Sequence, residues 1–137
     1  MLNPVGVWRF IAGYAIVEET GERTDLYGAE PRGYAIFDAG GRMMGMLEAS
    51  GRVAGNSEAE MAELYRSMIA YSGKWSVDAE KFITEVDLAS DPSLVGTAQV
   101  RYYTYDGQMM SLHTPPMALP RFDGRTAVIY ADWKREV

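Results

Sequence analysis

Apolar and polar positions alternate with a period of two along most of this chain, and the period changes to that of a helix once. Residues 5–17 are apolar and rich in Val, Ile and aromatics, and alternation puts Trp8, Phe10, Tyr14 and Ile16 on one face of a first strand. Residues 18–32 carry acids, two glycines and Pro31, and read as a long loop of the kind that borders binding sites. Two short apolar runs, 33–39 and 42–49, are joined by Gly40-Gly41, a pair suited to a tight hairpin turn. Beyond the Gly-bearing link 50–55, Ser57 and Glu60 have the spacing of a capping box. Met61, Leu64, Tyr65, Met68 and Ile69 then recur at helical spacing, which predicts one helix with an apolar face to bury.

Alternation returns at Tyr71. Residues 71–77 and 81–89 predict a hairpin, and Asp91-Pro92-Ser93 breaks the chain before the next run, 96–105. Asp106-Gly107 is a strong two-residue hairpin signal leading into 108–114, which Pro115-Pro116 ends. A last strand is predicted over 126–134. About eight strands joined mostly by hairpins, with one helix after the third strand, predict a single mainly β domain over 1–137: a closed antiparallel up-and-down β-barrel. Alternation alone does not say which face of each strand points inward, because a slip of one residue exchanges the two sets.

Composition removes whole classes of chemistry. The chain has no cysteine, so disulfides, thiolate nucleophiles and Cys-based zinc sites are excluded, and its one histidine, His113, cannot build a multi-histidine metal site. A net charge of -6 works against nucleic acid and anionic membrane surfaces as partners. No apolar stretch has the length of a membrane span, and residues 1–9 lack the features of an export signal, so a soluble cytoplasmic protein is expected. There is no Gly-x-Ser-x-Gly elbow, phosphate-binding glycine loop or dinucleotide fingerprint, and no cofactor is expected.

Gly6-Val7-Trp8 resembles the Gly-x-Trp signature of lipocalins and related calycins. Four further phrases, residues 31–34, 69–75, 95–101 and 112–116, resemble in their order the bacterial and fungal lipocalin-like domain family. The resemblance covers nearly the whole chain. It implies a compact barrel with a cavity for a small hydrophobic molecule, and a Trp8 that plugs the closed end beneath an arginine, for which Arg101, Arg9 and Arg135 are candidates. A few lipocalin-like proteins of natural-product pathways assist cyclisation or isomerisation. This chain departs from the family in having Thr84 and Glu85 where histidines are frequent, and Leu94 where Trp is frequent.

Tyr14, Tyr34, Phe37, Met44, Met46, Trp75, Tyr103 and Tyr130 are candidates either to line such a cavity or simply to pack the core. Gln99, Arg101 and Tyr103 share one strand face; turned inward, Arg101 needs a carboxylate such as Glu85 or Asp87, or an anionic ligand. The leading expectation is binding of one small, mainly hydrophobic molecule through the end flanked by 18–32 and the helix, with Arg101 and His113 among its contacts. A rival is a cofactor-free isomerase or cyclase that moves a proton with His113, Tyr103 or Glu85. A third is an oligomer-forming module, a homodimer for example, with an outer apolar patch from Ile129 and Trp133.

Overall fold

The computed structural model describes residues 1–136. The apolar run at the start forms β1 (Gly6–Val17), which hydrogen-bonds to three other strands. The remaining elements are β2 (Arg23–Asp25), β3 (Arg32–Phe37), β4 (Arg42–Glu48), α1 (Glu58–Arg66), β5 (Met68–Val77), β6 (Lys81–Ala89), β7 (Ala98–Tyr105), β8 (Met109–His113), β9 (Met117–Ala118) and β10 (Thr126–Arg135). Around the barrel the order is β1-β3-β4-β5-β6-β7-β8-β10, and β10 returns to β1, every pair antiparallel. This is the closed eight-stranded barrel that the alternation predicts. The short β2 and β9 lie alongside β1 and β10. Because β2 falls inside the segment read as a loop, α1 follows the fourth strand rather than the third.

Alternation in β1 is broken once. Phe10 faces Trp133 of β10, but Ala12 faces Asp132, so Ile11 is an extra residue on the β1 side. Such a bulge shifts the side-chain parity of everything beyond it. Trp8 and Phe10 point inward before it, and Gly13, Ala15 and Val17 after it, all buried. The expectation that Tyr14 and Ile16 share the face of Trp8 is thereby corrected.

Trp8 is 0% exposed and closes one end of the barrel. Its indole N–H donates to the Pro4 carbonyl at 2.8 Å. The Arg135 guanidinium lies 4.3 Å above the indole ring and donates to Val5 O (2.9 Å), Asn3 O (2.8 Å) and the Tyr105 hydroxyl (3.0 Å). Of the three arginines considered, Arg135 is therefore the one over Trp8. Gly6 permits this close fit: its φ is +127°, and a β-carbon there would come to 3.4 Å from Arg135 Nη1. The N-terminal residues fold across the same end, where Leu2 is buried.

The capping box of α1 forms as its spacing predicts, with Glu60 N–H donating to Ser57 Oγ and Ser57 N–H donating to the Glu60 carboxylate. The apolar stripe does not continue as predicted. The helix ends at Arg66, Met68 and Ile69 belong to β5, and Met61 and Tyr65 stay exposed, so no residue of α1 is buried. Pairing of Met68 with Glu48 of β4 claims the last predicted turn for the sheet. Arg52 fastens the helix end to the barrel, donating to Leu64 O, Ser67 Oγ and Glu48 Oε2, while Arg32 takes the other oxygen of Glu48. Among the described residues no helix is long and apolar enough to cross a membrane.

Arg135→Ala removes three hydrogen bonds donated by a charged group and the cation–π contact, and is expected to cost about 2–3 kcal/mol in denaturant unfolding. Arg135→Lys keeps the charge but not the fork, and should recover less than half of that.

Candidate functional site

The interior is not filled. A cavity of about 330 Å3 lies between the strands, at the lower end of the roughly 300–1,000 Å3 range of small-molecule sites. It exists because small residues occupy inward positions where large ones are common in cores. On β3 the buried face is Gly33, Ala35 and Phe37, and on β4 the facing positions are Met43, Gly45 and Leu47. Ala131 of β10 leaves space on the opposite wall. Phe10, Phe82, Met110, Leu112 and Trp133 are among its apolar walls. Tyr27, from the segment after β2, and Leu94, from a one-turn helix between β6 and β7, also border the cavity. Gly13 makes room for Tyr27: a β-carbon there would lie 2.7 Å from the tyrosine ring, which sits edge-on to Phe10.

Of the candidate residues, Phe37, Met46, Arg101 and Tyr130 line this cavity, Phe37 and Arg101 from inward strand positions. Trp75 lies beside Phe37 and Phe82 with its N–H donating to Asp38 O at 3.0 Å, and takes a packing position. Tyr103 is inward by register, but its hydroxyl is held at the closed end, donating to Asp78 O (2.7 Å) and accepting from Leu2 N–H. Tyr14, Tyr34, Met44 and His113 are corrected to the outside, and Met46 and Tyr130, on the same outward parity, reach only the edge of the cavity. Register pairs Tyr34 with Met46, Tyr14 with Tyr130 and Tyr130 with His113, opposite in parity to the buried Ala35, Ala15 and the lumenal Ala131. Met46 and Tyr130 border the cavity, but the Met46 side chain is largely exposed and the Tyr130 ring is stacked in an outer row.

That outer row crosses four neighbouring strands. Tyr102 and His113 have ring centroids 5.6 Å apart, His113 and Tyr130 5.4 Å, Tyr130 and Tyr14 5.1 Å, and the Arg23 guanidinium caps Tyr14 at 3.7 Å. His113 is thus one ring in a stack and is not among the residues that line the cavity, and Glu85 is exposed. The outer face of β3 to β6 holds a second hollow of about 530 Å3, lined by Tyr34, Ile36, Met44, Met46 and Leu88. These are strongly exposed, Leu88 to 65%. The expected outer patch of Ile129 and Trp133 is corrected in turn, because both face the lumen and Trp133 is only 7% exposed.

The polar groups of the cavity are few. Arg101 donates to its neighbours Val100 O (2.9 Å) and Gln99 Oε1 (2.7 Å). The two carboxylates weighed as its partners lie elsewhere. Asp87 is bound to Arg42 at 2.8 Å on the outer surface, which holds its carboxyl below the usual range, and Glu85 faces solvent. Burial lowers the affinity of Arg101 for its proton. Burial also pushes the phenols of Tyr27 and Tyr71 above the ordinary tyrosine range. Tyr71, Tyr27 and Trp133 had no distinguishing signal in sequence: Tyr71 and Trp133 fit either strand face, and Tyr27 lies in a segment without a period.

A family model described as a lipocalin-like domain matches residues 5–135, and the chain belongs to that family. No curated protein matches it.

The tyrosines provide a measurable signature of the cavity wall. For Tyr27 and Tyr71 the folded value lies above the unfolded value of about 10, so the fold favours the neutral phenol. Their share of stability is intact below pH ~10 and is lost as pH rises through the folded value. Tyrosinate absorbance is expected to show a late-titrating component that is reduced by Tyr71→Phe and reduced further when Tyr27→Phe is added.

Proposed function

We propose that this lipocalin-like barrel binds one small, mainly apolar molecule in its internal cavity, reached past Tyr27 and Leu94. The observation that carries the reading is the unfilled space of about 330 Å3 walled by aromatic and aliphatic side chains. Protein interiors pack to a density that leaves few voids larger than a water molecule, so a hollow of this size is a departure from ordinary core packing. Its emptiness rests on Ala35, Gly45 and Ala131, while Tyr34, Met44 and Met46 of the same hairpin point outward. Binding is favoured over proton-transfer catalysis by the placement of the groups that catalysis would use. His113 and Glu85 lie on the outside, and the Tyr103 hydroxyl is committed to Asp78 and Leu2.

Native mass spectrometry against a library of hydrophobic metabolites is expected to give one-to-one adducts. Ala131→Phe places a ring in the lumen, where overpacking costs about 1–3 kcal/mol of stability, and should weaken those adducts at least tenfold. Met44→Ser on the outer face should leave them unchanged. Adducts that survive Ala131→Phe but are lost in Met44→Ser would move the site to the outer hollow and overturn the proposal.

A further inference from the structure

The cavity contains one fixed positive charge and no negative one. No aspartate or glutamate is among the residues that line it, and Arg101 takes part in no ion pair among the described residues. A guanidinium has five N–H donors and does not give up its charge in proteins. Two of its hydrogen bonds are to protein, both to neutral oxygens, Val100 O and Gln99 Oε1. Arg101 is partly buried, a cation taken from water without an anionic partner is costly, and an anion from outside the chain would offset that cost.

The guanidinium is also held in place. Leu94 O accepts from the Thr97 hydroxyl at 2.6 Å, Thr97 Oγ1 accepts from the Gln99 amide at 3.1 Å, and the Gln99 carbonyl is thereby turned toward Arg101. This relay runs from the lip of the cavity to its charge and leaves the rest of the guanidinium without a protein acceptor. Other donors add to it. The Trp133 indole N–H is buried with no hydrogen-bond partner, and the Tyr71 phenol, close enough to feel the Arg101 charge, keeps its proton. The lumen therefore offers donors in excess of acceptors within an otherwise apolar wall.

We infer that the molecule held in the cavity is an organic monoanion, an apolar body ending in a carboxylate that pairs with the Arg101 guanidinium. This deepens the proposed function and rests on it. A planar carboxylate matches the fork of a guanidinium and balances its single charge, whereas a phosphate dianion would leave a second negative charge unpaired in the lumen. The net charge of the chain, -6, makes the local sign more telling, because the exterior repels the anion that the interior is built to accept.

Three probes of nearly equal shape separate the charge from the cavity: phenylbutyrate, phenylbutanol and phenylbutylamine, titrated calorimetrically into the wild-type chain. The acid is expected to bind at least tenfold more tightly than the alcohol, and the amine most weakly. Arg101→Met should remove at least tenfold of the affinity for the acid while keeping that for the alcohol, and Arg101→Lys should retain part of the preference. Equal binding of acid and alcohol by the wild type overturns the anion inference and leaves the apolar cavity standing. Absence of binding by all three overturns both. The wild-type comparison decides the matter even where a variant fails to fold.

Discussion

The pairing of β1 with β10 is the constraint on which the remaining geometry depends. It runs from Trp8 opposite Arg135 to Val17 opposite Ala127 and turns an open sheet into a cylinder. Without it two long apolar strands would present unpaired edges to solvent. The same ladder sets Arg135 at the level of Trp8, so the contact that plugs one end follows from the register that closes the wall. The single extra residue at Ile11 lies in this ladder. It changes which residues of β1 face inward, bringing Gly13 beneath Tyr27 and turning Tyr14 out to stack on Tyr130.

A hollow interior and a stacked exterior are two sides of one distribution of volume. In the hairpin of β3 and β4 the small residues Gly33, Ala35 and Gly45 are turned inward, and Tyr34, Ile36, Met44 and Met46 outward. Large apolar side chains usually gather in the core because burying them is favourable. Here they face the other way, and the space they would have occupied is left to the cavity, with Arg101 set in its wall.

Features with local causes were legible in the sequence. The hairpins, the number of barrel strands, the Ser57–Glu60 box and the end of the chain as a strand each follow from a few neighbouring residues. Facing was not legible. Alternation sorts Tyr34, Ile36 and Met44 from Ala35, Phe37 and Met43 without saying which set is inside, and a preference for large apolar residues inside selects the wrong one. The bulge at Ile11 carries no proline or glycine to mark it, and Tyr27 reaches the lumen from a segment with no period. The helix stripe was misread at its end because Met68 and Ile69 suit a strand as well as a helix, and pairing with β4 decides between them. Arg101 was legible as an unanswered question of charge, and the positions of Glu85 and Asp87 remove two of the answers.

The inward glycine of β4, Gly45, is not equivalent to the inward glycine of β3, Gly33. At Gly33 a β-carbon would strike the backbone of Met46 and Leu47, whereas at Gly45 it would meet only Met43 Cε at 3.4 Å and Ala35 Cβ at 3.8 Å. Gly45 can therefore grow by a methyl group at small expense to the wall, while Gly33 cannot. The bore of the barrel is adjustable at one site and rigid at the other, so a single codon can change the volume of the interior without rebuilding the staves.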